Sequence, residues 1–219
     1  MDYFFLSNTA LFNGIKENEI RQIVSCLGIR KKAYGKNETV YRAGDTVHDI
    51  GLVTSGSVNI VVNFYNGSSQ IFGHIKKGDI FAENYAAVPD RELICDVVAD
   101  DDSEIIFLNF SDLINICNNG CSSHQRLLNN LLRISALKSL SLSSRMLHIA
   151  PRSIRDRLLS YLSEQAIING SRHFTIPFAR EQLANYLGVN RSAMSNELSK
   201  MQKDGLIRFT KNEFILSNK

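Results

Sequence analysis

Few folds are open to a chain containing Arg180-Glu181-Gln182-Leu183-Ala184-Asn185-Tyr186-Leu187-Gly188-Val189-Asn190-Arg191-Ser192-Ala193-Met194-Ser195-Asn196-Glu197-Leu198. Leu183 and Leu187 stand four residues apart, so they share one face of a helix. Ala184 is small, as it must be where a second helix crosses closely. Gly188 suits the left-handed residue that stops the first helix, and Asn190 can cap the second. Met194, Leu198 and Met201 then form an inward stripe. Ser192, Asn196, Ser199 and Lys203 fall on the opposite face, with Arg191 at the N-terminal flank. Beyond it, Lys203-Asp204-Gly205-Leu206-Ile207-Arg208 reads as a turn into a strand. Lys211-Asn212-Glu213 and Phe214-Ile215-Leu216 complete a hairpin. The pattern predicts a winged helix-turn-helix.

The outer face of the second helix is small, polar or basic, which is the chemistry of a surface that enters a DNA major groove. The charge distribution agrees. Residues 1–150 carry a net charge of −2 and residues 151–219 a net +5, so the polyanion-binding half is the second. The length of 219 residues fits two compact domains.

The first half has a different texture. Ile15, Ile20, Ile23, Val24 and Leu27 recur at helical intervals and predict a helix over residues 8–27, capped by Ser7 or Asn8. From Ile29 to Asn109, short runs of Val, Ile, Phe and Tyr alternate with glycine turns, which argues for an antiparallel sandwich or barrel. Asn66-Gly67 between Val58–Tyr65 and Ser69–His74 predicts a hairpin. Helix resumes at Ser111, is interrupted at Asn118-Asn119-Gly120, and runs on from Ser122 to His148. The leucines of this long helix wrap more than one narrow stripe, so it has two surfaces to bury, one of them against a second copy of the chain. Ala150-Pro151-Arg152 marks a hinge. A further helix carries Ile154, Leu158, Tyr161 and Leu162. A loop at Asn169-Gly170-Ser171 and a short strand at Phe174-Thr175-Ile176 follow.

Taken whole, the chain resembles the cyclic-AMP receptor protein/fumarate-nitrate regulator (Crp/Fnr) family of bacterial transcription factors. Gly56-Ser57-Val58 and Lys77-Gly78-Asp79-Ile80-Phe81-Ala82-Glu83 are similar to its cyclic-nucleotide cassette. The resemblance implies an α+β fold: an N-terminal antiparallel β-roll like a cyclic-nucleotide-binding domain with flanking helices (1–121), a long dimerisation helix and hinge (122–149), and a C-terminal winged helix-turn-helix (150–219). It also implies a homodimer on double-stranded DNA, with RNA polymerase as a further partner and an effector acting allosterically. Arg191 matches the family's guanine-reading arginine, and Arg180 a phosphate contact at the start of the first helix. The expected DNA contacts are Arg180, Asn190, Arg191, Ser192, Ser195, Asn196, Ser199 and Lys203. Where the family commonly has Arg-Glu and a second arginine, this chain has Arg191, Ser192 and Asn196, so the usual operator half-site does not carry over. Asn196 suits adenine.

The effector pocket is expected around Phe81, Ala82, Glu83, Arg91, Leu93 and Ile94. Glu83 matches the glutamate that holds a ribose hydroxyl. The Arg-Ser positions that would neutralise a cyclic phosphate hold Leu93 and Ile94, which cannot do so, and Ala82 replaces a frequent glycine. These departures argue against cyclic AMP and leave the effector unidentified. No cofactor or metal is assigned. Cys117, Cys121 and His124 have the spacing of three ligands on one helical face, but Gly120 breaks that helix and buried structural cysteines are the simpler account. Cys26 stands without the cysteine group that iron–sulfur relatives carry near the N-terminus. His48 and His74 are possible ligands for a haem or a cupin-like metal, yet no His-x-His pair or paired carboxylate accompanies them. An enzyme is therefore not expected. Four scattered cysteines, no leader-like basic start and no membrane-length apolar run predict a cytoplasmic protein.

Overall fold

A computed structural model describes residues 1–88, 90–115 and 122–217. The chain divides into two compact units, Met1–Leu137 and Lys138–Lys219.

The first unit is built on two four-stranded antiparallel sheets. One has the order β1 (Arg30–Tyr34), β8 (Ser103–Asn109), β3 (Asp49–Ser55), β6 (Ile80–Phe81); the other runs β2 (Thr39–Tyr41), β7 (Asp96–Ala99), β4 (Ser57–Asn63), β5 (Ser69–Lys76). Strand β8 explains how both faces of the first sheet are buried. Successive side chains point to opposite faces, and the unbroken run Ile105-Ile106-Phe107-Leu108 sends alternate residues into two cores. Ile105 and Phe107 join Tyr34, Val53, Val58, Phe81 and Val97 between the sheets. Ile106 and Leu108 join Ile50, Leu52 and Ile80 beneath the helices. Those helices are α1 (Tyr3–Ser7), α2 (Glu17–Cys26), α4 (Phe110–Ile114) and the first turns of α5 (Ser122–Ile149), which contributes Leu127 and Leu131. A four-residue helix, α3 (Glu83–Ala86), follows β6.

The helix expected over residues 8–27 is corrected to a shorter one: only α2 falls within that range, and α1 ends before it. Asn8 closes α1 as its C-cap, with its side chain donating to the Phe4 carbonyl, and α2 starts only after Lys16. Leu11, Phe12 and Ile15 are buried without being helical, so their apolar spacing reflects packing and not helical periodicity. The β4–β5 hairpin forms, though not as a two-residue turn. Only Gly67 takes a positive φ (80°), Phe64 accepts from the Gly67 N–H, and Phe72 bulges between the Ile60–Gly73 and Val61–Ile71 pairs.

The second unit holds the end of α5, then α6 (Ile154–Ile168), β9 (His173–Thr175), α7 (Arg180–Leu187), α8 (Arg191–Lys203) and the hairpin β10 (Ile207–Thr210)/β11 (Glu213–Leu216), in a three-stranded sheet ordered β10-β11-β9. Helix α5 ends at Ile149 ahead of Pro151, and Ser153 caps α6 by accepting from the Asp156 N–H. The core of this unit is Leu158, Leu162, Leu183, Leu187, Met194, Leu198, Met201, Ile207 and Phe214, among others. No helix among the described residues is long and apolar enough to cross a membrane.

Candidate nucleic-acid interface

The pair α7–α8 is set by local chemistry. Gly188 adopts φ 63°, ψ 42° and closes α7. Asn190 is the N-cap of α8, its side-chain oxygen accepting from the N–H groups of Ser192 and Ala193 at 2.9 and 3.1 Å. Met194, Leu198 and Met201 are fully buried. Ala184 is buried too, at the crossing of the two helices. On the other side Arg191, Ser192, Asn196, Ser199 and Lys203 are exposed, and Ser195 is half-buried. The structure thus brings six of the expected DNA contacts onto one helix with its other side sunk in the core.

Arg180 is held differently. Its guanidinium stacks over the rings of Phe209 and Phe214, at 4.9 and 5.2 Å from their centroids. Nη1 is buried with no hydrogen-bond partner among the described residues, and burial lowers the side chain's pKa. It ties the start of α7 to the wing. No side-chain cap serves α7, since Ala179 lacks an acceptor; only Gln182 reaches back, to the Ala179 N–H at 2.8 Å.

Residues distant in sequence complete the support. Arg157 donates to the carbonyls of Leu187 and Gly188, and Arg145 to those of Tyr186 and Asn185. Two cations therefore serve the C-terminal end of α7, where the helix dipole favours positive charge. Arg155 donates to Glu197 at 2.6 Å and pairs with Asp204 at 2.8 Å. His148, buried, shares a hydrogen bond with the Tyr186 hydroxyl at 2.9 Å and lies 3.2 Å from Glu164. None of these was legible as a site residue, because each partner lies 16 to 49 residues away in the chain. Their only signal was a basic cluster in positions 145–157.

The residues expected to form an effector pocket are only partly assembled. Phe81 is buried in the roll, edge-on to Tyr41 at 6.1 Å. Ala82 takes the left-handed conformation, φ 62°, which explains why glycine suits this position. Glu83 is buried at the start of α3. Leu93 and Ile94 part company. Leu93 is 4% exposed, with its backbone bonded to Gly44 and Asp45, whereas Ile94 is 70% exposed, like its exposed neighbour Arg91. Three hollows of about 540, 260 and 450 Å³ in this unit are lined by other residues. The hollow of about 540 Å³ lies between Cys26, Arg30, Asp49, Asn109, Asp112 and His124. Cys117 and Cys121 lie outside the described residues. Among the described residues no group of three or more His, Cys, Asp or Glu is placed to hold a metal. His48 is exposed ahead of β3, and His74 Nδ1 hydrogen-bonds Asn59 at 2.7 Å.

A two-sheet roll followed by a winged helix-turn-helix with a polar outer helix defines a class of protein, the DNA-binding transcription regulator with a sensor-type domain. Comparison with known proteins agrees. Residues 31–119 match the cyclic nucleotide-binding domain family and residues 156–219 the Crp-like helix-turn-helix domain family. Electron transport regulator A of Shewanella oneidensis is 22% identical over 216 residues, covering 92% of this chain and 80% of the relative. The fumarate and nitrate reduction regulatory protein of Escherichia coli K12 is 23% identical over 207 residues, covering 88% and 76%. The solved structure of CprK complexed with OCPA superimposes with a TM-score of 0.63 at 15% identity, over 91% of each chain. The chain belongs to the Crp/Fnr family of transcription regulators. It is a DNA-binding regulator.

Proposed function

We infer that α8 lies in the major groove and reads a base sequence that is not the family's common half-site. Arg191 is the guanine reader and Asn196 the adenine reader, each bidentate pair discriminating by about 1–3 kcal/mol. Asn190, Ser192, Ser195, Ser199 and Lys203 set register against base edges and phosphates, and Arg180 approaches the backbone from the wing side. The single observation behind this reading is the division of α8: its methionines and leucine are buried, and its arginine, serines, asparagine and lysine are exposed.

The working unit is a homodimer. Leu132, Leu137, Leu140, Leu142, Met146 and Leu147 are all exposed along α5, and so much unburied apolar surface on one helix marks an interface. Regulators of this family are dimeric. The dimerisation helix and hinge are assigned to residues 122–149, between a sensor domain at 1–121 and the DNA-binding domain at 150–219. Two α8 helices must meet half-sites about 34 Å apart. An effector with different affinities for two dimer geometries would switch that spacing. The region from Phe81 to Ile94 is the proposed sensor. Cyclic AMP is disfavoured as its ligand, since Leu93 is turned inward, Ile94 is apolar, and neither offers a phosphate a donor. RNA polymerase is the proposed downstream partner and the cytoplasm the proposed location.

Selection of duplexes from random DNA, repeated with small-molecule extracts, tests this reading. The expected result is a two-fold-symmetric site whose preference at one base per half-site relaxes in Arg191→Ala. Failure to retain any duplex at low salt would sink it.

A further inference from the structure

Helix α8 contains one acidic residue, Glu197, and is closed by another, Asp204 as its C-cap. Both are gripped from α6 by one side chain. Arg155 places Nε 2.6 Å from Glu197 Oε1 and Nη2 2.8 Å from Asp204 Oδ2, so a single planar fork spans two turns of the neighbouring helix. Glu197 is only 18% exposed in this grip, and Lys200 adds a weaker contact at 3.9 Å. The arrangement answers two electrostatic problems. An acid at a helix C-terminus is opposed by the helix dipole. An uncompensated carboxylate on a helix only about 10–12 Å across lies within roughly a Debye length of any phosphate which that helix meets.

We propose that Arg155 is a positioning residue for DNA binding: by holding Glu197 and Asp204 against α6 it silences the acids of the recognition helix. The inference rests on α8 being the helix that meets DNA. Arg155 itself touches no nucleotide. Arginine suits the task because its rigid fork can serve two carboxylates at once, which a lysine ammonium does less well.

The test is fluorescence anisotropy of the full-length chain on a labelled mixed-sequence duplex of about three helical turns. Arg155→Ala is expected to weaken binding about tenfold at low salt, the deficit shrinking as salt rises. Neutralising the released acids (Arg155→Ala with Glu197→Gln and Asp204→Asn) should restore affinity to within about threefold of the natural chain. A merely structural arginine would give a salt-independent loss that the neutralised variant does not recover, and that result overturns the proposal, as does unchanged binding by Arg155→Ala. Should Arg155→Ala fail to fold by circular dichroism, Glu197→Gln/Asp204→Asn in the natural background decides instead: binding at low salt as tight as, or tighter than, that of the natural chain supports the proposal, and weaker binding overturns it. If the natural chain itself ignored the duplex, the placement of α8 on DNA would fall, and this inference with it.

Discussion

Gly51 and Phe81 are in such close contact that a Cβ on residue 51 would stand 2.2 Å from the Cζ of the Phe81 ring. Their strands pair at Gly51–Phe81, and the ring also meets Tyr41 edge-on, so it has no room to retreat. The absence of a side chain at residue 51 is what lets the ring fill the space between the sheets.

Gly51→Ala should therefore destabilise the sensor-type unit by overpacking, by about 1–3 kcal/mol. Thermal unfolding followed by circular dichroism measures it. An unchanged midpoint would show that the ring can move aside.

Asn190→Ala removes the acceptor for the Ser192 and Ala193 N–H groups. Loss of such a cap costs about 1 kcal/mol, read as a lower urea midpoint of the C-terminal unit. Asn190→Asp keeps an acceptor and should retain stability, yet weaken DNA binding by adding negative charge beside the groove face.

Leu140→Glu combined with Leu147→Glu places two charges seven residues apart on the exposed stripe of α5. The expected outcome is a monomer by sedimentation, with a stable fold and with loss of two-fold-symmetric DNA recognition. A dimer that survives this change would place the interface elsewhere.

Asp101 bridges the β3–β4 turn, accepting from the Ser57 N–H at 2.7 Å and approached by the hydroxyls of Ser57 and Ser103. The backbone donor first, and the two hydroxyls with it, hold its pKa below the ordinary aspartate value. A depressed folded-state pKa means stability that is present above the unfolded value of about 3.9 and lost as pH falls through the lower folded one. Asp101→Asn should accordingly lower the urea midpoint at neutral pH and flatten its decline as pH falls below about 4. An acid limb as steep as in the natural chain would assign the acid sensitivity to other carboxylates.

Much was legible because it is local. Asn190, Gly188 and the Met194–Leu198–Met201 stripe are dictated by capping, by left-handed backbone freedom and by a 3.6-residue period, all of which act within one or two turns. Spacing misled where burial imitated periodicity: Leu11, Phe12 and Ile15 are in the core without being helical.

The sequence by itself determined the order of the two domains and the chemistry of the outer face of α8, because both follow from short-range pattern. Only the tertiary structure decided that Leu93 turns inward while Ile94 turns out, that Arg180 lies on the aromatic rings of the wing, and that Arg155 holds the two acids of α8. Each of these depends on which distant surfaces meet, and the free energy that selects them, packing and charge pairing across 29 to 49 residues of chain, leaves no periodic trace along it.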